Sequence, residues 1–473
     1  MLDFVGDLAN PLDRHPMTTL LSIKSRLDEL TRAYGVPGAS LAVWHDGELS
    51  EAASGVVNLE TQVPATPDAL FQIGSITKLY TAVLCLQLVE EGKLALDLPI
   101  RTWLPDFRVA DPEVSAKLTP RHLLSHTSGI EGDMFRDAGR GEDRIARLVS
   151  MLDALPQLHP MGAMFSYCNL GFVIAGRLIE VAGGEIWDKA IRRRIAKPLD
   201  TPSFSTLPEQ AMRYLTAIGH LGAPGNLFVT PVAYLAQSNA PVGTTPMARA
   251  RDVIAFARML MAKGVAPNGT RVLSEECVRE MHEMNVVCPR HMNIDAVGLA
   301  TFLWDWDGDG RYESFGHDGS TVGQAAWLRY HPESGTAVAL LTNGGDGKGL
   351  AHDLIGDIFR SQARLLPGEP PAPTPGFAFD PAFYEGRYAN IMETIEVTAN
   401  NGKLVATTTP SPDFAVISGG GAKRVELAAV DAELFVGTAP GMSLPATWHF
   451  LERDTQGRPA YLHAGVRAHR RIA

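Results

Sequence analysis

The chain has 473 residues, which exceeds the size at which one hydrophobic core stops growing, so we expect a large domain and a smaller unit. Hydrophobic residues make up 45% and charged residues 20%, an ordinary globular composition that argues against a disordered chain. The formal net charge of −11 disfavours nucleic acid as a partner, because phosphate binding requires clustered Lys and Arg.

Cysteine spacing and the N-terminal sequence indicate in which cellular compartment the protein is expected. The four cysteines, Cys85, Cys168, Cys277 and Cys288, show no CxxC or Cys/His spacing, so we predict reduced thiols and neither a zinc site nor a disulfide framework. The first residues, MLDFVGDLANPLDRHP, lack the basic and apolar regions of a signal peptide, and no run of 18 apolar residues occurs. We therefore expect a cytoplasmic protein with no membrane partner.

The first elements are a helix and a hairpin. Apolar residues at helical spacing predict a helix over residues 18–34, with Gly35 where a C-cap would lie. Residues 40–44 form a short apolar strand, Asp46-Gly47 is a turn signal, and residues 49–57 form the return strand.

The middle of the chain, roughly residues 75–290, is mainly helical, and includes an amphipathic helix predicted over 248–264. Strand patterns return at about 296–345. The first and last parts should therefore share one sheet. We predict an α+β fold, in which helices flank an antiparallel sheet and an all-helical insertion lies beside it.

A proline-rich segment, residues 365–377, predicts an extended linker. Beyond it, short β-rich runs alternate with Asn-Gly, Gln-Gly and Gly-Gly turns, which favours a small antiparallel barrel or sandwich. The predicted boundaries are a catalytic-sized domain over 1–364, the linker over 365–377 and a β-domain over 378–473.

Ser75 and Lys78 lie in the first turn of a predicted helix that is apolar on nearly every side up to Gly92. Residues three apart share a helix face, so the Lys78 amine can reach the Ser75 hydroxyl. The N–H groups of a buried helix N-terminus suit a carbonyl oxygen under attack. The alternative is that Ser75 caps the helix and Lys78 is solvated.

Tyr167 and Asn169 precede a second apolar helix. A phenol beside a lysine ammonium would be held towards phenolate and could take the serine proton, while the Asn169 amide oxygen could fix Lys78. The alternative is a core tyrosine and a capping asparagine.

His317, Asp318 and Gly319 lie at the edge of a predicted strand. A glycine there would let a substrate backbone lie against the strand, and the N–H of Ser320 could be the second oxyanion donor beside that of Ser75. The alternative for His317 is a turn residue.

Together, the order Ser-x-x-Lys, Tyr-x-Asn and His-x-Gly resembles the serine β-lactamase and penicillin-binding-protein superfamily, in particular its class C-like branch with esterases, D-aminopeptidases and D-stereospecific peptidases. The resemblance covers about residues 18–362, and includes LTPRHLLSHTSGI at 118–130 and LLTNGG at 340–345.

This resemblance implies roles for the motif residues. Ser75 would be the acylated nucleophile, Lys78 its proton partner, Tyr167 the general base and later acid, and Asn169 a positioning group for Lys78 and the substrate. His317 stands where class C β-lactamases carry the lysine of Lys-Thr-Gly. A histidine is only partly charged near neutral pH, which argues against efficient β-lactam hydrolysis.

The implied function is a serine hydrolase or acyltransferase of esterase or D-stereospecific peptidase type, acting without metal or cofactor on a small-molecule or peptide substrate. A lipocalin-like barrel on this fold also resembles penicillin-binding-protein-type thioesterases, which release and macrocyclise nonribosomal peptides from a carrier protein. A weak β-lactamase and a non-catalytic penicillin-binding protein are further alternatives.

Three other patterns are interpreted as structural. Gly38-Ala39-Ser40-Leu41-Ala42 lacks the final glycine and the strand-turn-helix context of a nucleophile elbow. Residues 305–310 begin like a calcium loop, but position 12 is Gly316, so an acidic hairpin tip is favoured. His122 and His126 are expected to cap a helix end.

Two tryptophans next to the acidic tip complete the candidate site. Trp304 and Trp306 are close in sequence to His317, and we expect them, Trp306 above all, to line the substrate cleft.

Overall fold

The computed structural model describes residues 20–290, 294–400, 402–418 and 420–472. The predicted first helix is observed as α1, Leu20–Ala33. Residues 18 and 19 of that prediction, and the segment interpreted as lacking a signal peptide, lie outside the described residues.

Helices occupy mainly the middle of the chain. The α-helices after α1 are, in chain order, α2 Thr77–Glu90, α3 Pro112–Lys117, α4 Pro120–Leu124, α5 Arg144–Val149, α6 Asn169–Gly183, α7 Trp187–Ile191, α8 Pro208–Ala211, α9 Ala250–Met261, α10 Glu275–His282, α11 Gly347–Ile358, α12 Pro381–Tyr384 and α13 Pro412–Ser418. Short 3-10 helices lie at Gly74–Ile76, Ile100–Thr102 and Gln237–Val242, and π-helical turns at Arg192–Ala196 and Phe359–Ala363.

Residues 20–364, which correspond to the predicted catalytic-sized domain, are called the catalytic part below. Strands lie at both of its ends and throughout the C-terminal part. Before the linker they are β1 Gly38–His45, β2 Glu48–Gly55, β3 Phe71–Gln72, β4 His220–Leu221, β5 Phe228–Val229, β6 Met247–Ala248, β7 Val286–Val287, β8 Ala296–Val297, β9 Phe302–Trp304, β10 Ser314–Ser320, β11 Ala325–His331 and β12 Thr336–Thr342. After it they are β13 Gly386–Ala389, β14 Glu393–Asn400, β15 Lys403–Pro410, β16 Lys423–Ala429, β17 Leu434–Gly437, β18 Ala446–Arg453, β19 Pro459–Ala464 and β20 Arg467–Arg471.

The main sheet joins the two ends of the catalytic part, as predicted. Its strand order is β2-β1-β12-β11-β10-β9-β8-β7, and β1 pairs antiparallel with β12 so that Leu41 faces Leu340. Alternate residues of β1 enter different cores: Leu41 and Val43 pack towards α1 and α11, whereas Ala42 packs towards the helical block. The α+β prediction with a helical insertion is therefore confirmed.

Helix α2 runs through the centre of the helical block. Its residues from Thr77 to Leu88 are buried, since the sequence offers no polar face after the first turn. Tyr80 stacks on Phe256 of α9 with ring centroids 3.9 Å apart. This lengthwise burial fixes the position and direction of the turn that precedes α2.

The C-terminal strands β13 to β20 close into an antiparallel barrel, which confirms the predicted β-domain. Residues 364–380, all within the described part, form neither helix nor strand, in keeping with a linker. Thr374 ties this segment to the barrel, because its N–H donates to the carbonyl of Ala429 at 2.9 Å. Within the described residues, every helix is too short or too polar to cross a bilayer.

Candidate active site

Ser75 lies in the 3-10 turn Gly74–Ile76, which continues directly into α2. The Lys78 Nζ is 3.0 Å from Ser75 Oγ and donates to the carbonyl of Val242 at 2.9 Å. Among the described residues, no side chain caps either helical segment, so Ser75 is not the cap that the alternative interpretation required. The sequence prediction that Ser75 and Lys78 meet on one helix face holds.

Lys78 is fully buried, which sets its protonation. Burial lowers the pKa of its amine well below the usual value, and the positive charge of Arg467 adds to this, while Asp133 acts in the opposite direction. The loss of hydration outweighs the nearby carboxylate, so the amine gives up its proton more readily than a solvated lysine does. A neutral amine next to a hydroxyl can accept its proton.

The backbone of β10 presses against the Ser75 turn. A Cβ on Gly319 would lie 2.0 Å from the Ile73 carbonyl oxygen, and a Cβ on Gly74, whose φ is +50°, would lie 2.5 Å from the Ser320 nitrogen. Gly319 makes room for the turn that carries Ser75, and the expectation that it also makes room for substrate stays a prediction. This approach brings the Ser320 N–H beside the first N–H groups of the helix, which lack intrahelical partners.

Tyr167 is buried next to Ser75. Burial raises the pKa of its phenol, and the neighbouring Ser75 side chain and Arg467 oppose the rise, so Tyr167 rests as a neutral phenol rather than the phenolate that the sequence suggested. Its hydroxyl meets no partner in full hydrogen-bond geometry among the described residues. The Ser75 hydroxyl is close enough to affect that pKa without being aligned as an acceptor or donor.

The Tyr167 ring is held from one side by His126. The two rings stack with centroids 4.3 Å apart and an interplanar angle of 24°. The His126 Nδ1 accepts the N–H of Cys168 at 2.9 Å, and burial lowers the pKa of the imidazole, which keeps it neutral. His126 therefore positions Tyr167, a role that its sequence interpretation as a cap missed, whereas His122 does contact the cap residue Thr119.

Asn169 contacts Asp133 through its amide nitrogen, and the predicted contact of its amide oxygen with Lys78 stays a prediction. Its Nδ2 donates to Asp133, and the described hydrogen bonds of Lys78 go to Ser75 and Val242. Asn169 also does not cap α6, because the Cys168 Sγ accepts the N–H of Gly171 there. The amide is turned towards Asp133 because a buried carboxylate requires donors.

His317 is buried and lies against Phe302, with centroids 3.9 Å apart. Its Nδ1 contacts the Asp318 carbonyl, which can only accept, so Nδ1 carries the proton and Nε2 is the free lone pair. Burial, with Lys78 nearby, lowers the pKa of His317 well below its usual range. The histidine is therefore neutral and does not replace the lysine of the third motif as a fixed cation.

Trp306 packs against the apolar cluster that contains Tyr167, and its expected place in the substrate cleft stays a prediction. It packs edge-on against Phe359 at 4.9 Å and lies 6.0 Å from Trp304, which in turn stacks under the Arg329 guanidinium. These contacts fix Trp306 to the π-helical turn after α11, because a large ring buries most area against other apolar surface.

An acidic group lies at the tip before β10. Ligand atoms of Asp305, Asp307, Asp309 and Glu313 are within 4.8 Å of one another. Asp305 carboxylate oxygens accept the N–H groups of Gly308 and Gly310, at 2.8 and 2.9 Å, which is how an Asx-type turn is stabilised. The turn accounts for the position of Asp305.

Asp133 and Arg467 also belong to the site, although no sequence pattern indicated either of them. Arg467 is the first residue of β20 in the barrel, and its Nε and Nη2 donate to the two oxygens of Asp133 at 2.6 and 3.1 Å. Its guanidinium carbon lies 5.1 Å from the centroid of the Tyr167 ring. The barrel thus reaches the centre formed by the catalytic part.

Comparison with known proteins identifies relatives of the whole chain and of a large part of it. Penicillin-binding protein 4 of Amycolatopsis lactamdurans is 43% identical over 349 residues, which is 73% of this chain and 90% of that protein. The crystal structure of SurE matches with a TM-score of 0.74 and 29% identity over 96% of this chain and 99% of SurE, and a structure of SurE with D-Leu also scores 0.74.

A third relative matches the catalytic part. The D-amino acid amidase of Ochrobactrum anthropi SV3 has a TM-score of 0.59 and 25% identity over 72% of this chain and 97% of the amidase. The Beta-lactamase family model matches residues 23–359, which include every predicted motif residue and exclude the barrel. With its Ser-Lys pair, buried tyrosine and flanking β10 strand, the chain belongs to the Beta-lactamase family.

Proposed function

We propose that the protein is a serine hydrolase that cleaves ester or amide bonds through an acyl-Ser75 intermediate. The observation that carries this proposal is the 3.0 Å approach of the buried Lys78 amine, whose pKa burial lowers, to Ser75 Oγ. A buried lysine costs stability, and its conversion to a base at neutral pH is a recognised use of that cost.

In the proposed acylation, three side chains transfer the protons: Ser75, Lys78 and Tyr167. Lys78 takes the Ser75 proton as Oγ bonds to the substrate carbonyl carbon, and the N–H groups of Ser75 and Ser320 stabilise the oxyanion. The bond to the leaving oxygen or nitrogen then breaks, and the Tyr167 phenol donates the proton that the leaving group requires. Tyr167 recovers a proton from Lys78, and water enters by the reverse route to release the acid.

Relatives support D-configured substrates. SurE has been solved with D-Leu, and another solved relative is a D-amino acid amidase. We propose an amide or ester of a D-amino acid or a peptide as the donor. The neutral state of His317 argues against β-lactams as good substrates, because their carboxylate would lack the cation of the third motif.

A second candidate function is acyl transfer to an amine. Lys78, Tyr167 and His317 are each at least nine-tenths buried. Limited access of water to the acyl-enzyme favours an amine over water as the acyl acceptor. A peptidyl thioester on a carrier protein, cyclised onto its own amine in the cytoplasm, would meet this requirement.

Labelling of Ser75 tests the common mechanism. A fluorophosphonate probe should add one adduct to the intact protein, and Ser75→Ala should remove it. Ser361→Ala, in the π-helical turn after α11, is the matched control and should label normally. No adduct on the wild type, or equal adducts on the wild type and Ser75→Ala, would favour a non-catalytic binding protein.

A substrate panel then separates the candidates. Wild type and Ser75→Ala are compared on p-nitrophenyl esters, D- and L-amino acid amides, nitrocefin and a peptidyl thioester. Preference for D-amides supports the peptidase, a cyclic product from the thioester supports the transferase, and short-chain esters alone support an esterase.

A further inference from the structure

Three hydrogen bonds connect the segment that carries Tyr167 to the barrel. The Tyr167 N–H donates to the Val466 carbonyl at 3.0 Å, and the Ala468 N–H donates to Ser166 Oγ at 3.2 Å. His463 Nε2 donates to the Phe165 carbonyl at 3.1 Å. The turn between β19 and β20 therefore lies directly along the segment that carries Tyr167.

A charged pair reinforces this attachment. Arg467 holds Asp133 through two nitrogens, and its side chain is 19% exposed, while that of Asp133 is 3% exposed. Asp133 also accepts from Asn169, the first residue of α6. A two-pronged arginine contact fixes orientation as well as charge, so the barrel fixes the position of a carboxylate inside the catalytic part.

We propose that Arg467 of the barrel is a positioning residue for the reaction at Ser75, which it serves by holding Asp133 and placing its guanidinium against Tyr167. This inference rests on the proposed function and adds the barrel to the active centre. The barrel is then a functional part of the enzyme and not an appended module. Arg467 acts through Tyr167 and Lys78 and does not itself react.

The two charges act in opposite directions on both proton-handling groups. Arg467 lowers the pKa of Lys78 and of Tyr167, and Asp133 raises both. Other groups also affect these two pKa values: Cys168 raises the pKa of Lys78, and Asp318 raises that of Tyr167. Lys78 in turn lowers the pKa values of the neighbouring His126 and His317. Arg467 also lowers the pKa of His126, and Asp133 raises that of Cys168, so each substitution should shift these neighbours in the same direction as Lys78 and Tyr167.

The test is the pH profile of kcat/KM with a p-nitrophenyl ester for Arg467→Met and Asp133→Asn. Arg467 lowers the pKa of the base Lys78, so the ascending limb should move up in Arg467→Met, by about one pH unit for a nearby charge. It should move down in Asp133→Asn. A role confined to folding would lower the rate in both variants and leave the limb where it is, which would overturn the proposal.

Two further variants guard against misfolding. Arg467→Lys keeps the charge with one contact fewer, so its limb should stay near that of the wild type while the rate falls by about tenfold. Arg290→Met breaks another pair between the catalytic part and the barrel, Arg290 with Asp431, whose arginine is 66% exposed. Rate and limb should be unchanged there, and an equal loss in Arg290→Met would refute a specific role for Arg467.

The fluorophosphonate adduct separates the two possible failures. If wild type is not labelled, the proposed function fails and the role of Arg467 fails with it. If wild type is labelled and turns over while both pH limbs coincide with that of the wild type, only the role of Arg467 fails.

Discussion

Gly319→Ala is predicted to damage the active site while leaving the rest of the fold intact. A Cβ at this position would lie 2.0 Å from the Ile73 carbonyl oxygen, whereas contacts below 3.0 Å are essentially never made by real Cβ atoms. Strand β10 and the Ser75 turn would therefore have to separate by about 1 Å. A displacement of this size in reacting groups costs about 100-fold in rate.

The measurements are kcat/KM on a p-nitrophenyl ester and the urea midpoint of unfolding. Gly356→Ala is the matched control, because Gly356 lies within α11 and a Cβ added there would meet nothing within 4 Å. Alanine is the better helix former, so this variant should keep full activity and gain about 0.5–1 kcal/mol of stability. Full activity in Gly319→Ala would refute the view that close contact between β10 and the turn sets the position of Ser75.

Three further predictions concern stability. Burial lowers the pKa of Lys78 below its unfolded value of 10.5, so the folded state binds fewer protons there, and stability should rise with pH up to that value by at most about 1.4 kcal/mol per unit. Lys78→Met should remove that slope and stabilise the protein at pH 7, measured by urea unfolding at pH 7 and 9. Arg144→Met should cost about 3–5 kcal/mol in the same assay, because it leaves the buried Asp188 carboxylate unpaired, and a loss under about 1 kcal/mol would contradict this. Thr119→Ala should cost about 1 kcal/mol through the cap of α4, where Thr119 accepts the N–H of His122.

Local geometry explains which parts of the site could be predicted. Ser75 and Lys78 are three residues apart on one helix, so their contact follows from helical spacing alone. The hairpin of β1 and β2 was likewise predictable from its Asp-Gly turn, and it is observed at Gly38–His45 and Glu48–Gly55. The order of strand and helix patterns along the chain also indicated that the two ends of the catalytic part share a sheet.

Contacts between distant segments could not be predicted in this way. Asp133 and Arg467 are 334 residues apart, and neither lies in a motif, so only the docking of the barrel brings them together. Asp133 of that pair also accepts the Asn169 amide nitrogen, a contact that the sequence did not indicate. The contact of Gly319 with the Ile73 carbonyl was also not predictable, because a glycine in a strand signals close approach without saying what approaches.

The charges of the centre limit what it can bind. Burial lowers the pKa of Lys78 and of His317, and two neighbouring cations are paired with carboxylates, Arg467 with Asp133 and Arg329 with Asp318. These shifts and pairs weaken the attraction of the site for an anionic substrate, which would lose its hydration on entry. A neutral ester or amide loses little hydration free energy when it enters the same site. In the proposed mechanism, the burial that lowers the pKa of Lys78 would thus also favour uncharged acyl donors over β-lactams.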